Sequence, residues 1–267
     1  MNDLEKLSAE SINKRCTRVK SVIDNTKSAF LYQKAVKHLE RDVYPALQDS
    51  YPIFVEEYNK FNAEKFVEVP EDDVHYQHLW EFFPLKLGCN YPYSNINGHR
   101  VYNRDYFPRT VKAIEDAVKE DLVMIGLSRM KPNCILKPHT GYNNDMSHNA
   151  VLRTHIPLYS PSNNFNELGL AVYADDSARV GQPSTLPTAQ HTWEVGKLFT
   201  FDDTLLHEAW NKTSKYRDII MVDSFVNNLV NDKLHLYSPL TNKPVSIKQY
   251  ISDFQQEVYT SYISANI

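Results

Sequence analysis

The sequence predicts a mainly β protein, with a sandwich or barrel at about residues 121–227 and helices on both flanks. Three observations point there. Short apolar runs at 122–130, 133–137, 151–159, 168–174, 195–201 and 217–227 have the length and spacing of strands in an all-β core rather than an alternating α/β fold. Turn-forming residues separate them, in Pro132-Asn133, Pro161-Ser162-Asn163-Asn164 and Gly181-Gln182-Pro183. Helical spacing lies outside that core, on both of its flanks.

Taken in order, residues 1 to about 65 place apolar side chains at three- and four-residue intervals, in Ala29, Leu31, Tyr32, Ala35, Val36 and Leu39. Pro45 and Pro52 cut this region into shorter helices. Residues 66–110 are aromatic and turn-rich, carrying Pro70, Pro84, Pro92 and Pro108 and the run Trp80-Glu81-Phe82-Phe83-Pro84-Leu85. His75 and His78 have a metal-pair spacing, yet Glu71, Asp72 and Asp73 beside them read better as a solvated acidic turn. A helix follows at 109–120, the strand-rich stretch comes next, and helical spacing returns from Ser246 to Tyr262. The expectation is a single domain over 1–267: a mostly helical part at 1–120, the β core at 121–227, and a helical extension at 228–267.

At 267 residues and 42% hydrophobic composition, the chain can bury a core without covalent staples. A net charge of −4 argues against a broad nucleic-acid surface, which needs clustered Lys and Arg. Cys16, Cys89 and Cys134 are odd in number and form no C-x-x-C pair, so they read as reduced thiols. The charged N-terminus and the lack of any eighteen-residue apolar run predict a cytoplasmic protein with no membrane segment, and nothing calls for an obligate protein partner.

Chemistry concentrates between Pro138 and Arg217. His139 and His207 stand 68 positions apart, each beside a strand-like run, and Arg217 opens the next run. Two neutral imidazoles on neighbouring strands can grip one face of an iron, zinc or copper ion and leave positions open. His38, His99, His191 and His235 lack this setting and read as ordinary core or surface residues.

The ordered fragments Ser128-Arg129-Met130-Lys131-Pro132, Pro138-His139-Thr140-Gly141, Leu152-Arg153-Thr154-His155-Ile156-Pro157-Leu158, Trp193-Glu194-Val195-Gly196-Lys197, Phe201-Asp202-Asp203, His207-Glu208-Ala209-Trp210-Asn211 and Arg217-Asp218-Ile219-Ile220-Met221-Val222-Asp223 resemble the aspartyl/asparaginyl β-hydroxylase family of iron(II)- and 2-oxoglutarate-dependent oxygenases. The resemblance implies a double-stranded β-helix, the jelly-roll or cupin-like core. It implies that His139 and His207 bind Fe(II), and that Arg217 pairs with the distal carboxylate of 2-oxoglutarate, for which a planar guanidinium is suited. Arg153 and His155, two apart on one strand face, match residues of the cosubstrate pocket. Ser128 matches a hydroxyl donor to the same cosubstrate, and Trp80 an upstream aromatic position. The implied reaction uses O2 to hydroxylate an unactivated C–H of an amino acid or peptide-like substrate, releasing succinate and CO2.

Many related oxygenases carry a carboxylate two residues after the first histidine, where this chain has Gly141. That leaves an iron position for water, or for chloride in an aliphatic halogenase, the alternative outcome. Asp145 or His148, in the polar segment after Gly141, could reach the metal or the substrate, although a surface loop is the favoured reading. Asp202 and Asp203 read as residues that order the loop before His207 or orient a ligand, and Trp193–Lys197 as a strand-entry turn. A non-catalytic cupin-like binding protein would not need the full set of His139, His207, Arg153, His155 and Arg217. A zinc hydrolase would need a third ligand and a general base that no H-E-x-x-H cluster supplies.

Overall fold

Three nine-residue runs, Leu122–Met130, Val151–Tyr159 and Arg217–Phe225, are buried at nearly every position. Alternate side chains leave opposite faces of a strand, so both faces of the sheet they form must be covered. A computed structural model describes residues 39–61, 66–68, 79–139, 141, 151–173, 189–203, 206–225 and 236–265. The strands are β1 (Val67–Glu68), β2 (Trp80–Leu87), β3 (Tyr93–Ile96), β4 (His99–Tyr102), β5 (Leu122–Met130), β6 (Cys134–His139) and β7 (Val151–Tyr159). After them come β8 (Leu168–Tyr173), β9 (Ala189–His191), β10 (Phe199–Asp202), β11 (Leu206–Asn211), β12 (Arg217–Phe225), β13 (Leu236–Tyr237) and β14 (Pro244–Val245). The α-helices are α1 (Tyr44–Asp49), α2 (Tyr51–Lys60), α3 (Pro108–Val118) and α4 (Ile247–Ala265).

A six-stranded sheet, ordered β1-β2-β5-β12-β7-β10, faces a four-stranded one, ordered β6-β11-β8-β9. From β5 onward the chain passes repeatedly between the two, and all the pairings are antiparallel. This is a jelly roll, the core expected. One apolar cluster fills the space between the sheets, with Met130, Leu136, Leu170, Trp193, Phe201, Ile219 and Met221. A second covers the outer face of the large sheet, where Ile125, Leu127, Leu152, Ile156, Ile220 and Val222 meet Phe54 of α2 and Val111 and Ile114 of α3.

The mostly helical expectation for 1–120 did not include a strand of the core. Among the described residues, α1, α2 and α3 are there, but β2 is a full strand of the large sheet, paired with β5 from Trp80↔Met130 to Leu87↔Met124. Pro84 argues against a strand in the sequence, because it cannot donate to a ladder. It is tolerated where the register shifts between Pro84 and Lys86. The run at 217–227 is strand over Arg217–Phe225, with 226 and 227 outside the described residues, and that at 195–201 is shortened to Phe199–Asp202, preceded by the expected turn at Trp193–Lys197. His75, His78, His38, His235, Cys16, Asp145 and His148 lie outside the described residues.

Candidate active site

Antiparallel pairing of β11 with β6 sets His207 directly opposite His139. Opposed residues project to the same face, and the two imidazoles meet with ring centroids 4.3 Å apart. Sequence reading left His207 beyond an apolar run; it lies instead within a strand, next to a register shift between His207 and Ala209. Such irregularities re-aim side chains beside active sites. His139 Nδ1 lies 2.6 Å from the Lys137 carbonyl, which can only accept, so Nδ1 carries the proton and Nε2 keeps its lone pair. Burial, with His207 alongside, lowers His139 to about 3, so the ring is neutral at ordinary pH, the form that ligates metals.

Gly141 follows this strand and is held by a hydrogen bond from its N–H to the Asp203 carbonyl, 2.7 Å long. A Cβ at Gly141 would lie only 1.6 Å from Asp203 Oδ2. The Asp203 carboxylate thus occupies space that any side chain at 141 would need. Asp203 is fully buried; its Oδ1 lies 3.4 Å from His207 Nε2 and accepts from Arg153 Nη1 at 2.5 Å. Arg153 also donates through Nε and Nη2 to Asp223, at 2.8 Å each. Burial, reinforced by Asp223 and opposed by Arg153, raises Asp203 to about 6. Two carboxylates share one guanidinium, leaving excess negative charge beside His207.

The opposite end of the pocket is cationic. Arg217 is 2% exposed, and its Nε and Nη1 have no hydrogen-bond partner among the described residues. Burial lowers Arg217 to about 10, still charged at neutral pH. Ser128 accepts a hydrogen bond from Trp80 Nε1 at 2.9 Å, leaving its own O–H to donate elsewhere. His155 Nδ1 accepts from Trp193 Nε1 at 3.1 Å, and its buried Nε2 has no partner among the described residues. Ser128, His139, Arg153, His155, His207, Arg217 and Trp80 all line one pocket.

All seven residues expected at the site therefore converge. Arg153 differs in character: its guanidinium is taken by Asp203 and Asp223, whereas that of Arg217 is not. Sequence reading missed Asp223 and read Trp193 as a turn residue, while Asp203, expected to order the loop before His207 or to orient a ligand, lies beside His207. Asp223 was within reach, because it sits on the same face of β12 as Arg217 by two-residue alternation. The residues fit a divalent metal through the Nε2 lone pair of His139 and the facing His207, with the Asp203 carboxylate beside them. They fit a carboxylate at the other end through Arg217. Among the described residues no three His, Cys, Asp or Glu side chains converge as a complete metal cage, so two histidines are the protein ligands on offer.

Comparison with known proteins gives four findings. The sequence pattern of aspartyl/asparaginyl beta-hydroxylase matches residues 48–226. Mouse aspartyl/asparaginyl beta-hydroxylase is 32% identical over 99 residues, 37% of this chain and 10% of that protein. The ornithine lipid ester-linked acyl 2-hydroxylase of Rhizobium tropici is 33% identical over 96 residues, 36% of this chain and 27% of that protein. The matched stretches thus span about a tenth and a quarter of these relatives. Among solved structures, a Pseudomonas putida prolyl-4-hydroxylase overlaps 73% of this chain and 98% of its own at 10% identity, with a TM-score of 0.41. That overlap is too loose to bear on chemistry.

Proposed function

Because the chain belongs to the aspartyl/asparaginyl β-hydroxylase family, we propose that it is an iron(II)- and 2-oxoglutarate-dependent hydroxylase acting on an amino acid or peptide-like substrate. The observation that carries this reading is a single pocket with a histidine pair at one end and a buried arginine with unpaired donors at the other.

His139 and His207 would hold the iron, His139 through Nε2. When bound, iron(II) with 2-oxoglutarate and O2 supplies the oxidising power for C–H hydroxylation, with release of succinate and CO2. The remaining work belongs to the chain. Arg217 binds the distal carboxylate of 2-oxoglutarate, joined by the Ser128 hydroxyl and His155 Nε2–H. Trp80 orients Ser128, and Arg153 fixes Asp203 beside His207. Leu136, Leu170, Ala209 and Met221 wall the pocket and keep water from the reaction.

Halogenation through the space beside Gly141 is disfavoured. The Asp203 carboxylate fills that space, and a chloride there would meet both its bulk and its charge. No helix among the described residues is long and apolar enough to cross a membrane. The proposed setting is the cytoplasm and the proposed substrate a small amino acid or peptide-like molecule, with neither nucleic acid nor an obligate protein partner.

The test is anaerobic addition of Fe(II) and 2-oxoglutarate to the metal-free protein, followed by the weak visible charge-transfer band of the chelate. The wild type develops the band, and His139→Ala and His207→Ala lose or weaken it. Arg217→Ala needs roughly ten- to a hundredfold more 2-oxoglutarate, because hydrogen bonds to charged groups contribute about 1.5–3 kcal/mol. A wild type without the band, or both histidine variants keeping it, overturns the assignment. Succinate formation stimulated by particular amino acids or peptides then identifies the substrate.

A further inference from the structure

Two histidines in this pocket hold opposite tautomers. His139 is protonated on Nδ1 by its bond to the Lys137 carbonyl. His155 is set the other way by Trp193. An indole N–H can only donate, so His155 Nδ1, 3.1 Å from Trp193 Nε1, must accept. In the neutral ring the proton then sits on Nε2, which is buried, without a partner among the described residues, and on the pocket wall.

The same indole lies against Arg217, whose Cζ stands 4.5 Å from the ring centroid, an attractive cation–π distance. Trp193 is 1% exposed and reaches the pocket although its backbone enters a turn. One side chain therefore touches both groups whose donors are unpaired at the cationic end.

We propose that Trp193 is a positioning residue for the cosubstrate carboxylate, holding His155 as its Nε2–H tautomer and supporting the Arg217 guanidinium so that both aim donors at one anion. This rests on the reading of that end as the 2-oxoglutarate site. The physical need is specific. A His155 in the other tautomer would turn a lone pair towards an incoming carboxylate and repel it. Charging the ring so that both nitrogens donate is opposed by burial beside Arg217 and Arg153.

Trp193 also packs near Phe199, so a purely space-filling role must be separated from this one. Trp193→Phe keeps a ring beside Arg217 but has no N–H. The first measurement is the tautomer of His155 in metal-free protein by nitrogen-15 NMR of labelled histidine, assigned by the signal missing from His155→Gln. Wild type shows Nε2–H, and Trp193→Phe shows a mixture.

The second is calorimetry of 2-oxoglutarate binding to the Mn(II)-loaded enzyme. Trp193→Phe weakens binding about tenfold, the size of one hydrogen bond to a charged group. In a His155→Gln background the same change weakens it no more than about twofold, since positions that act through one another are not additive.

An Nδ1–H tautomer in wild type, an unchanged tautomer in Trp193→Phe, or fully additive losses would overturn the proposal. The wild-type tautomer decides even if Trp193→Phe folds poorly. A wild type that binds no 2-oxoglutarate defeats the functional reading instead, and the tautomer, measured without ligand, still decides whether Trp193 sets His155.

Discussion

At Gly141 the absence of a side chain is as consequential as the presence of His139 two residues before it. The Asp203 carboxylate stands where a Cβ would be, and Arg153, itself held by Asp223, fixes it there. An acidic group thus reaches the histidine pair from a different strand end than the usual one. Gly141→Ala is expected to destabilise the protein by about 1–3 kcal/mol, the ordinary cost of overpacking, and to weaken metal binding. Adding Asp203→Gly removes the clash and recovers most of the stability without recovering metal affinity. Denaturant titration and metal titration of the single and double variants check this. Equal stability of Gly141→Ala and wild type would show that the carboxylate has room to move.

Helix α2 binds the helical layer to the outer face of the large sheet through side chains of three kinds. Phe54 is fully buried there. Tyr51 donates to the Pro157 carbonyl at 2.7 Å and Tyr58 to Asp218 at 2.6 Å, while Asp218 is also gripped by both Nε and Nη2 of Arg129. Because side chains alternate along β12, Asp218 anchors the helices on one face while Arg217 serves the pocket on the other. Helix α3 has no side-chain cap of its own, and Glu57 of α2 accepts from the N–H groups of Arg109 and Thr110 in its first turn. Glu57→Ala should cost about 1–2 kcal/mol, as loss of a helix cap does. Urea unfolding measures that loss. Charge-transfer titration of the folded variant should match wild type, because Glu57 lies on the far side of the sheet.

Over the whole molecule, burying titratable groups makes stability depend on pH. Burial holds His155 well below the ordinary histidine value, helped by Arg217 and Arg153, and lowers His139 to about 3. As pH falls through the unfolded value near 6.5, the unfolded chain takes up protons that both folded histidines refuse, so stability declines. Asp203 acts in the opposite sense, since its folded value of about 6 exceeds the unfolded value of 3.8. It gains stability over that narrower window, one group against two. The metal-free protein should therefore melt at lower temperature at pH 5 than at pH 7, and His155→Gln should show a shallower decline. A flat profile in wild type would contradict the neutral, buried state of these rings.

The sequence by itself determined a mainly β core, because two-residue alternation and turn chemistry are local properties. Its resemblance to the family, carried by the ordered fragments around His139, Arg153, His155, His207 and Arg217, implied the jelly roll and the members of the pocket. It did not reveal β2, because Pro84 breaks the local rule and only a register shift against β5 accommodates it. It did not reveal β11 as the strand carrying His207, because six residues, two of them only half-buried, give a weak signal. What only the tertiary structure decided is how these residues are partnered. Asp203 meets the space above Gly141, Asp223 and Asp203 take Arg153 out of play, and Trp193 turns His155 into a donor beside Arg217. Those contacts join residues tens of positions apart, so strand register and side-chain packing create them and no local pattern encodes them.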